Sequence, residues 1–295
     1  MFSDAIEKIA QFTRPLHSIV RTYAGKKLVP ASGTLFFVNE DGYAVTCKHI
    51  AELLVNSDNI NKAFTEFKNE RNKFLSDKKF RQIQKGLEMK YKYTEESIIQ
   101  IKNSFVDCVD TLGGFTTHLH PNYDLAIIQL TGFTKLFYSG YAKFKKEGSP
   151  IIQGEFLCRL GYPFPEFNNF VYDEKADDIH WIEEGIRSSP RFPIEGMITR
   201  FLAENNKMYG IELSTPGLRG QSGGPLFNAD GVVYGMQFST KHLHLGFDMV
   251  DKEVLINNKI KKVTDYAFIH LGQCIHADVI KEFLKEHRVK YYEEE

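Results

Sequence analysis

Short apolar stretches divided by turn-forming residues recur along most of this chain and constrain its fold more than any other feature. The clearest example is a hairpin in which Gly33–Glu40 and Tyr43–Cys47 are predicted strands joined by Asp41-Gly42. Asp-Gly is favoured there because a two-residue hairpin turn needs backbone of positive φ. Further predicted strands lie within 97–107, 111–120, 124–130, 148–164, 194–204, 207–215, 225–238 and 245–271. Many short strands spaced by turns predict an all-β barrel or sandwich.

Helical patterns flank and interrupt these strands. Residues 4–12 have apolar residues at helical spacing after a capping Ser3 or Asp4, and residues 276–287 have the same spacing. Between the early strands, Phe64, Phe67, Arg71 and Phe74 recur every three or four residues. The segment 52–96 is therefore predicted to be an insertion of one or two helices.

The helical insertion is strongly basic. Residues 62–92 hold ten Lys or Arg against four Asp or Glu, a net charge of +6. Such a run is typical of a solvated helical face packed on the body of the protein. A docking surface for an acidic protein partner is the alternative. Nucleic acid is not expected, because no stacking platform or binding motif accompanies the charge. A second interruption, 165–192, is acidic and is predicted to be a surface loop.

Composition limits the classes of function. The chain has 37 basic and 38 acidic residues, a net charge of −1, so no strong overall field attracts nucleic acid or an anionic membrane. The four cysteines are widely spaced and fit neither a disulfide scaffold nor a metal site. The amino terminus is a poor signal peptide, and no apolar run approaches a membrane span. We therefore expect free thiols, no metal or cofactor, and a cytoplasmic location.

The strongest chemical signal is Gly220-Gln221-Ser222-Gly223-Gly224-Pro225. A nucleophilic serine needs an exposed hydroxyl on a tight turn, with backbone N–H groups aimed at the developing oxyanion. Flanking glycines allow such a turn and the approach of substrate. Ser222 is thus the candidate nucleophile, and the N–H groups of Gly220 and Ser222 are the candidate oxyanion hole. A plain structural turn is the alternative.

A serine nucleophile needs a base and an acid that orients the base. His49 follows a predicted strand and is the candidate base, although a lone histidine there is often structural. Asp124 precedes an apolar strand, where an unpaired carboxylate is costly, and is the candidate acid. Asp107 and Asp110 are rivals for that role.

These segments resemble a known family. The order His, Asp, Ser is that of chymotrypsin-like proteases. The run from Gly33 to His49 is similar to the first catalytic segment of bacterial trypsin-like peptidases of the high-temperature-requirement (HtrA) type. Residues 124–128 resemble their aspartate segment, 154–163 their strand entering the second barrel, and 220–227 their serine segment. The resemblance covers roughly 18–288, apart from the two interruptions.

The resemblance implies a chymotrypsin-like double β-barrel with the triad in the cleft between the barrels. The division expected is a helix at 1–14, a first barrel at 15–140 with the insertion 52–96, a second barrel at 141–275 with the loop 165–192, and a helix and tail at 276–295. The activity implied is that of a serine endopeptidase acting on protein or peptide substrates through an acyl-enzyme. The alternatives are an idle protease fold that serves as a binding module and a serine esterase.

Several residues depart from the family pattern. Secreted relatives use an acid just before the serine to bind a newly cleaved amino terminus, but Gln221 stands here, so zymogen activation is not expected. The cysteine that commonly follows the histidine is Ile50. Only a helix follows the last predicted strand, so no PDZ domain is expected, and recruitment through 52–96 or a separate partner becomes a hypothesis.

The resemblance also locates the primary specificity pocket. Its lining residues would be Thr215, Pro216, Phe238, Ser239 and Thr240. None is acidic, so a preference for Lys or Arg is not expected. A small or apolar side chain is the expectation, and Arg219 could favour an acidic neighbour in the substrate.

Two histidine pairs are possible metal ligands, since alternate strand residues share a face. They are His118 with His120, and His242 with His244 before Asp248. Both lack a clear third ligand, and we expect ordinary structural histidines. Cys47 is expected to be a small core residue.

Overall fold

The computed structural model describes residues 2–23 and 28–295, and 14 of the 16 strands in them form two largely antiparallel β-sheet units. The first unit has six strands in the order β4-β1-β2-β3-β6-β5. Its edge strands β4 and β5 meet through Phe105 and Phe115, whose ring centroids lie 5.6 Å apart. The strands are β1 (Thr13–Thr22), β2 (Val29–Phe37), β3 (Tyr43–Thr46), β4 (Ile98–Phe105), β5 (Gly114–Leu119) and β6 (Ala126–Thr131).

The second unit is a closed barrel. Strands β13, β8, β11, β12, β15 and β14 pair in turn, and β13 also pairs with β14, which closes the ring. Strands β7 and β16 extend the sheet beside β14. The strands of the second half are β7 (Lys143–Phe144), β8 (Phe156–Gly161), β9 (Phe170–Asp173), β10 (Asp178–Trp181), β11 (Phe192–Glu204), β12 (Lys207–Leu213), β13 (Pro225–Phe227), β14 (Val233–Ile256), β15 (Lys259–His276) and β16 (Tyr292–Glu293). The expected all-β, chymotrypsin-like fold is confirmed.

The hairpin predicted at Asp41-Gly42 is present. β2 pairs with β3 through Phe36 and Val45, both fully buried. Gly42 has a φ of +79°, the backbone conformation that favours glycine in this turn. The hairpin is important for the site because β3 leads directly to His49.

Four helices accompany the strands: α1 (Ser3–Ala10), α2 (Lys48–Asn72), α3 (Phe80–Tyr91) and α4 (Ala277–Glu286). Helix α2 starts at Lys48, before the expected insertion at 52, because Ile50, Ala51 and Leu54 are buried against the first unit. Among the helices of the described residues, none has the length and apolar character needed to cross a membrane.

The helical insertion is packed on the first unit by an aromatic cluster. Phe64 and Phe67 of α2 are buried with Ile99 of β4. The Phe67 ring makes edge contacts with Tyr91 and Tyr93, with centroids 5.5 and 5.1 Å apart. This agrees with the interpretation of a helical face packed on the body.

The segment 165–192 differs from the predicted loop, because it contains the hairpin β9–β10. Ile179 is buried with Phe167 and with Ile19 of β1, so a small apolar cluster packs this hairpin on the first unit. Asp177 at its turn binds Arg21 at 2.6 Å and Arg71 of α2 at 3.2 Å. The short alternating pattern of these strands was not recognised among the many acidic residues. One of those residues, Asp177, forms an ion pair with Arg71 of the basic insertion.

The last hairpin is longer than the expected 245–271. Strands β14 and β15 pair from Gly235 opposite His276 out to Ile256 opposite Lys259. Its outer half is exposed and carries large apolar side chains such as Phe247 and Leu255. The hairpin therefore extends well beyond the barrel that it helps to close.

Candidate active site

The turn that carries Ser222 joins the two β-units. Ser222 is partly exposed and lies between Gly220 and Gly223, whose φ values are +90° and +86°. A Cβ on Gly223 would lie 1.9 Å from the carbonyl oxygen of Thr34, so only glycine fits. The backbone N–H of Thr34 donates to the Ser222 carbonyl at 3.0 Å, and its hydroxyl donates to the Gly220 carbonyl at 2.8 Å. Thr34 of the first unit thus fixes the nucleophile turn of the second.

His49 and Asp124 meet in the first unit. Nδ1 of His49 lies 2.7 Å from Oδ2 of Asp124, and the His49 backbone N–H donates to Oδ1 at 2.9 Å. Burial alone would raise the pKa of Asp124, but these hydrogen bonds from His49 outweigh it and hold that pKa below its ordinary value. A carboxylate on Nδ1 leaves Nε2 as the proton acceptor. This is the geometry of a histidine prepared to act as a base.

The rival acids lie elsewhere. Asp110 accepts hydrogen bonds from the backbone N–H groups of Thr134 and Lys135, and bonds from the Thr134 hydroxyl hold its pKa below the ordinary value. Asp107 has a φ of +51° and its carbonyl accepts from Arg14. Both are turn residues, and the structure places Asp124 on His49 instead.

The Ser222 turn abuts the strand end that leads to His49. The hydroxyl of Thr46 donates to the Thr34 carbonyl at 2.7 Å, and the thiol of Cys47 donates to the Gln237 carbonyl at 3.3 Å. The same Gln237 carbonyl accepts the Gly223 N–H at 2.8 Å. The hydrogen bonds of the described residues do not include one between the Ser222 hydroxyl and His49.

Two backbone donors flank the Ser222 hydroxyl. Within residues 2–23 and 28–295, the N–H groups of Gly220 and Ser222 have no backbone acceptor, whereas those of Gln221, Gly223 and Gly224 each have one. Donors left unpaired at a tight turn can bind a developing oxyanion. An oxyanion hole formed by these two N–H groups stays a prediction.

Gln221 stabilises the turn without a charge. Its side chain is fully buried; Oε1 accepts the Leu218 N–H at 3.1 Å and Nε2 donates to the Phe192 carbonyl at 3.0 Å. The amide therefore anchors the loop before Ser222 to β11. No ionic partner is needed at this position.

These features are those of one family, and the sequence comparison agrees. The family model for the trypsin-like peptidase domain matches residues 32–236, more than two thirds of the chain. The chain belongs to the trypsin-like peptidase family. This makes it a serine endopeptidase, a hydrolase of peptide bonds. None of the curated proteins compared with this peptidase matches it.

Solved proteases are similar to this peptidase in structure. The active form of the Rv3671c protease from M. tuberculosis has 11% sequence identity and a TM-score of 0.48, covering 98% of this chain and 86% of that one. The HtrA-type protease AlgW, in a variant with a tripeptide, has 13% identity and a TM-score of 0.48. That likeness covers 97% of this peptidase and 63% of AlgW.

The residues expected to line the specificity pocket lie on two connected walls. The Thr240 hydroxyl donates to the Gly217 carbonyl at 2.8 Å, and the Gly272 N–H donates to the Thr215 carbonyl at 2.8 Å. All five expected residues are partly exposed: Thr215, Pro216, Phe238, Ser239 and Thr240. We call these five residues the rim of the predicted pocket; that they line a pocket stays a prediction.

Two buried residues that contact these rim residues are not predicted from the sequence. Arg159 of β8 and Gln237 of β14 are buried beneath the rim, and Nη1 of Arg159 donates to Oε1 of Gln237 at 2.7 Å. The available signal was a charged residue inside the apolar strand Phe156–Gly161. A buried charge is costly and indicates a specific role.

The histidine pairs have other partners. His118 stacks on His287, and Nδ1 of His120 accepts the Tyr123 N–H at 3.0 Å. On the long hairpin, His242 contacts His270, and Nε2 of His244 lies 2.6 Å from Oδ1 of Asp248.

The described residues contain a single group of three potential metal ligands, namely Cys47, His49 and Asp124. Burial raises the pKa of the Cys47 thiol well above its ordinary value, so this thiol is protonated and a poor ligand. The side chains fit a His–Asp pair rather than a metal centre. A protein without a metal or cofactor stays a prediction.

Proposed function

We propose that this peptidase cleaves peptide bonds through a triad of Ser222, His49 and Asp124, by way of a covalent acyl-enzyme. The two-point hydrogen bonding between His49 and Asp124 carries the proposal, because it fixes both the tautomer and the direction of the imidazole. The Ser222 turn supplies a partly exposed hydroxyl, held against the strand that leads to His49.

In the proposed reaction, Nε2 of His49 takes the proton of the Ser222 hydroxyl as Oγ bonds to the carbonyl carbon of the substrate. The carbonyl electron pair moves to oxygen, and the N–H groups of Gly220 and Ser222 stabilise that anion. When the pair returns, the C–N bond breaks and His49 gives its proton to the leaving amine. Asp124 stays ionised and stabilises the imidazolium. Water then attacks the acyl-enzyme in the same way: His49 takes its proton as its oxygen bonds to the acyl carbon. The bond to Ser222 Oγ breaks, His49 returns the proton to Ser222, and the carboxylic acid product is released.

The absence of a Ser222–His49 hydrogen bond among the described residues is compatible with this reaction, because such bonds often tighten only when substrate binds. It also defines the second candidate function, an idle or latent protease fold that binds a partner. Labelling with a fluorophosphonate distinguishes them. We expect one adduct per chain on the wild type, none on Ser222→Ala, and normal labelling of Ser76→Ala, an exposed serine of the insertion.

Absence of labelling in the folded wild type would contradict the proposal unless a cell lysate restores it. Restoration would indicate a partner-dependent enzyme. Hydrolysis of simple esters without any peptide cleavage would instead support the esterase alternative.

A protein partner at 62–92 is part of the proposal. Lys68 donates to the carbonyls of Ala176 and Asp177, and Arg71 binds the Asp177 carboxylate, so part of the basic surface is neutralised within the chain. The remaining exposed lysines would contact an acidic protein. Deletion of 62–92 should then reduce cleavage of the natural target without abolishing fluorophosphonate labelling. Full cleavage of the target by the deletion variant would contradict the partner hypothesis.

A cytoplasmic location is also proposed. It is supported by the four cysteines of the described residues, which are buried free thiols. Fractionation of cells that express the protein would test it.

A further inference from the structure

Arg159 is a fully buried cation in the second barrel. Nη2 donates to the Thr215 hydroxyl at 2.6 Å and to the carbonyls of Thr215 and Pro216 at 3.1 Å each. Nη1 donates to the side chain of Gln237, and Nε has no hydrogen-bond partner among the described residues. All of these acceptors are neutral. A buried charge ordinarily has a partner of opposite charge, because desolvation otherwise costs several kcal/mol.

No carboxylate of the described residues forms an ion pair with Arg159, and residues 1 and 24–27 contain no acidic side chain. The buried carboxylate of the same barrel, Glu212, is occupied by Arg200 at 2.6 Å and by Gln273 at 3.1 Å. Burial lowers the pKa of Arg159, but a guanidinium stays protonated in proteins. The barrel thus contains one positive charge without a counter-charge.

The guanidinium contacts the residues that are expected to line the specificity pocket. Its acceptors Thr215 and Pro216 belong to one wall, and Gln237 precedes the residues of the other. Gly272 faces it closely, since a Cβ there would lie 2.0 Å from Nη1. Glycine at this position leaves the space that the guanidinium occupies. The Gln237 backbone is hydrogen-bonded to Gly223 and Gly224, and its side chain accepts from Arg159. Gln237 therefore connects the guanidinium to the turn that carries Ser222.

We propose that this pocket binds an acidic side chain of the substrate, Asp or Glu, on the residue whose carbonyl Ser222 attacks, and that Arg159 determines this specificity. This inference rests on the proposed function, and it replaces the expectation of a small or apolar side chain. The substrate carboxylate takes the place of the Gln237 amide oxygen on Nη1. The exchange is favourable because the carboxylate supplies the counter-charge that the buried guanidinium otherwise lacks.

Two exposed basic residues that lie near the rim in the sequence add positive charge to that of Arg159. Arg219 and Lys241 are exposed, and neither forms an ion pair within the described part of the chain. They would attract an acidic segment toward the pocket, whereas Arg159 would select the side chain that enters it.

The test measures pocket binding separately from catalysis. Peptides that end in Glu or in Gln, otherwise identical, are titrated by calorimetry into Ser222→Ala, which binds without turnover. We expect the Glu peptide to bind at least about tenfold more tightly, because the Gln peptide leaves the cation unpaired. Equal affinities, or tighter binding of a peptide that ends in Ala, would overturn the inference and indicate a pocket sealed by Arg159 and Gln237.

Two variants, made in the Ser222→Ala background, assign the effect to Arg159. Gln237→Glu places a carboxylate on the guanidinium with almost no change in volume, so it should remove the preference for Glu while the chain stays folded. Arg159→Met should remove the preference for Glu as well. Arg187→Met, at an exposed arginine, should keep that preference. A preference for Glu that persists in the folded Gln237→Glu variant would contradict the role of Arg159.

Fluorophosphonate labelling of the wild type separates this inference from the proposed function. A chain that is labelled but does not distinguish Glu from Gln overturns the pocket inference alone. A chain that distinguishes them but is not labelled, even after addition of a cell lysate, supports the acidic pocket and overturns the proposed activity.

Discussion

The backbone N–H of Thr34 lies 3.0 Å from the carbonyl oxygen of Ser222, and this contact connects the two halves of the catalytic centre. The Thr34 hydroxyl adds a second bond, to the carbonyl of Gly220, and accepts the Tyr162 N–H at 3.2 Å. A first-unit strand therefore orients the peptide that carries the proposed oxyanion donors, Gly220 and Ser222. Correct placement of Ser222 depends on how the two units are packed together.

Replacing Thr34 by Val tests this contact. The variant keeps the shape and the backbone N–H but loses both hydroxyl bonds. Because the Gly220 carbonyl is then unsatisfied, we expect the free energy of unfolding to fall by about 1–3 kcal/mol. The fluorophosphonate labelling rate should fall as well. Urea unfolding and labelling kinetics measure these effects, with Thr116→Val on an exposed face of β5 as the control. A variant that labels at the wild-type rate would show that the turn is held without Thr34.

Asp124→Asn should lower the labelling rate by about 10³- to 10⁴-fold, because an amide can stabilise the wrong tautomer of His49 and carries no charge for the imidazolium. The matched control is Asp110→Asn, at the rival acid, which should leave the rate unchanged. Labelling kinetics at pH 7.5 give both values. The reverse order of effects would assign the acid to Asp110.

His17 should make the protein less stable in mild acid. Its ring is buried, stacks on Phe167 with centroids 3.9 Å apart, and lies 2.8 Å from the Ser189 hydroxyl. Burial lowers the pKa of His17 from 6.5 to about 4. Between these two values the unfolded chain binds the proton and the folded chain does not, so the free energy of unfolding falls as the pH is lowered.

The contribution of the neutral His17 to the free energy of unfolding is complete above pH 6.5. It is lost as the pH falls toward 4, with an upper bound of about 3 kcal/mol. Urea unfolding at several pH values in this window measures it. The slope should decrease in His17→Gln and should be unchanged in His180→Gln, an exposed histidine of β10. An identical pH dependence in His17→Gln would indicate that other groups cause the acid sensitivity.

Asp177 should be important for the packing of the two insertions. Its carboxylate binds Arg21 and Arg71, and it accepts the Tyr172 hydroxyl at 2.6 Å. Asp177→Asn leaves two partly buried guanidinium groups without their counter-charge, so we expect a loss of about 2–4 kcal/mol. Asp58→Asn, at an exposed position of α2, is the control.

Urea unfolding measures the Asp177 effect, and limited proteolysis near 73–79 shows whether the helical insertion is released. Unchanged stability and cleavage in Asp177→Asn would show that the aromatic cluster alone holds the insertion.

The amino-acid sequence by itself determined the parts that depend on local chemistry. Asp41-Gly42 favours a tight turn, and Gly220 and Gly223 allow the tight turn around Ser222, because glycine adopts positive φ readily. The short apolar stretches on either side favour strands. These local requirements were sufficient to predict an all-β fold and the candidate nucleophile, whereas the family was indicated by the resemblance of the catalytic segments. They also located the terminal helices and the helical insertion, since 3–4 spacing is a property of adjacent turns of one helix.

Only the tertiary structure decided which distant residues meet. Asp124 was the favoured acid, but its rivals Asp107 and Asp110 remained until the fold placed Asp124 on both the ring and the backbone of His49. The burial of Arg159 beneath Thr215 and beside Gln237 was likewise invisible, because these residues lie 56 and 78 positions away. The β9–β10 hairpin was missed for the same reason: its acids are explained by Arg21 and Arg71, which come from other elements. Pairing energies depend on distance in space, and the linear sequence does not specify that distance.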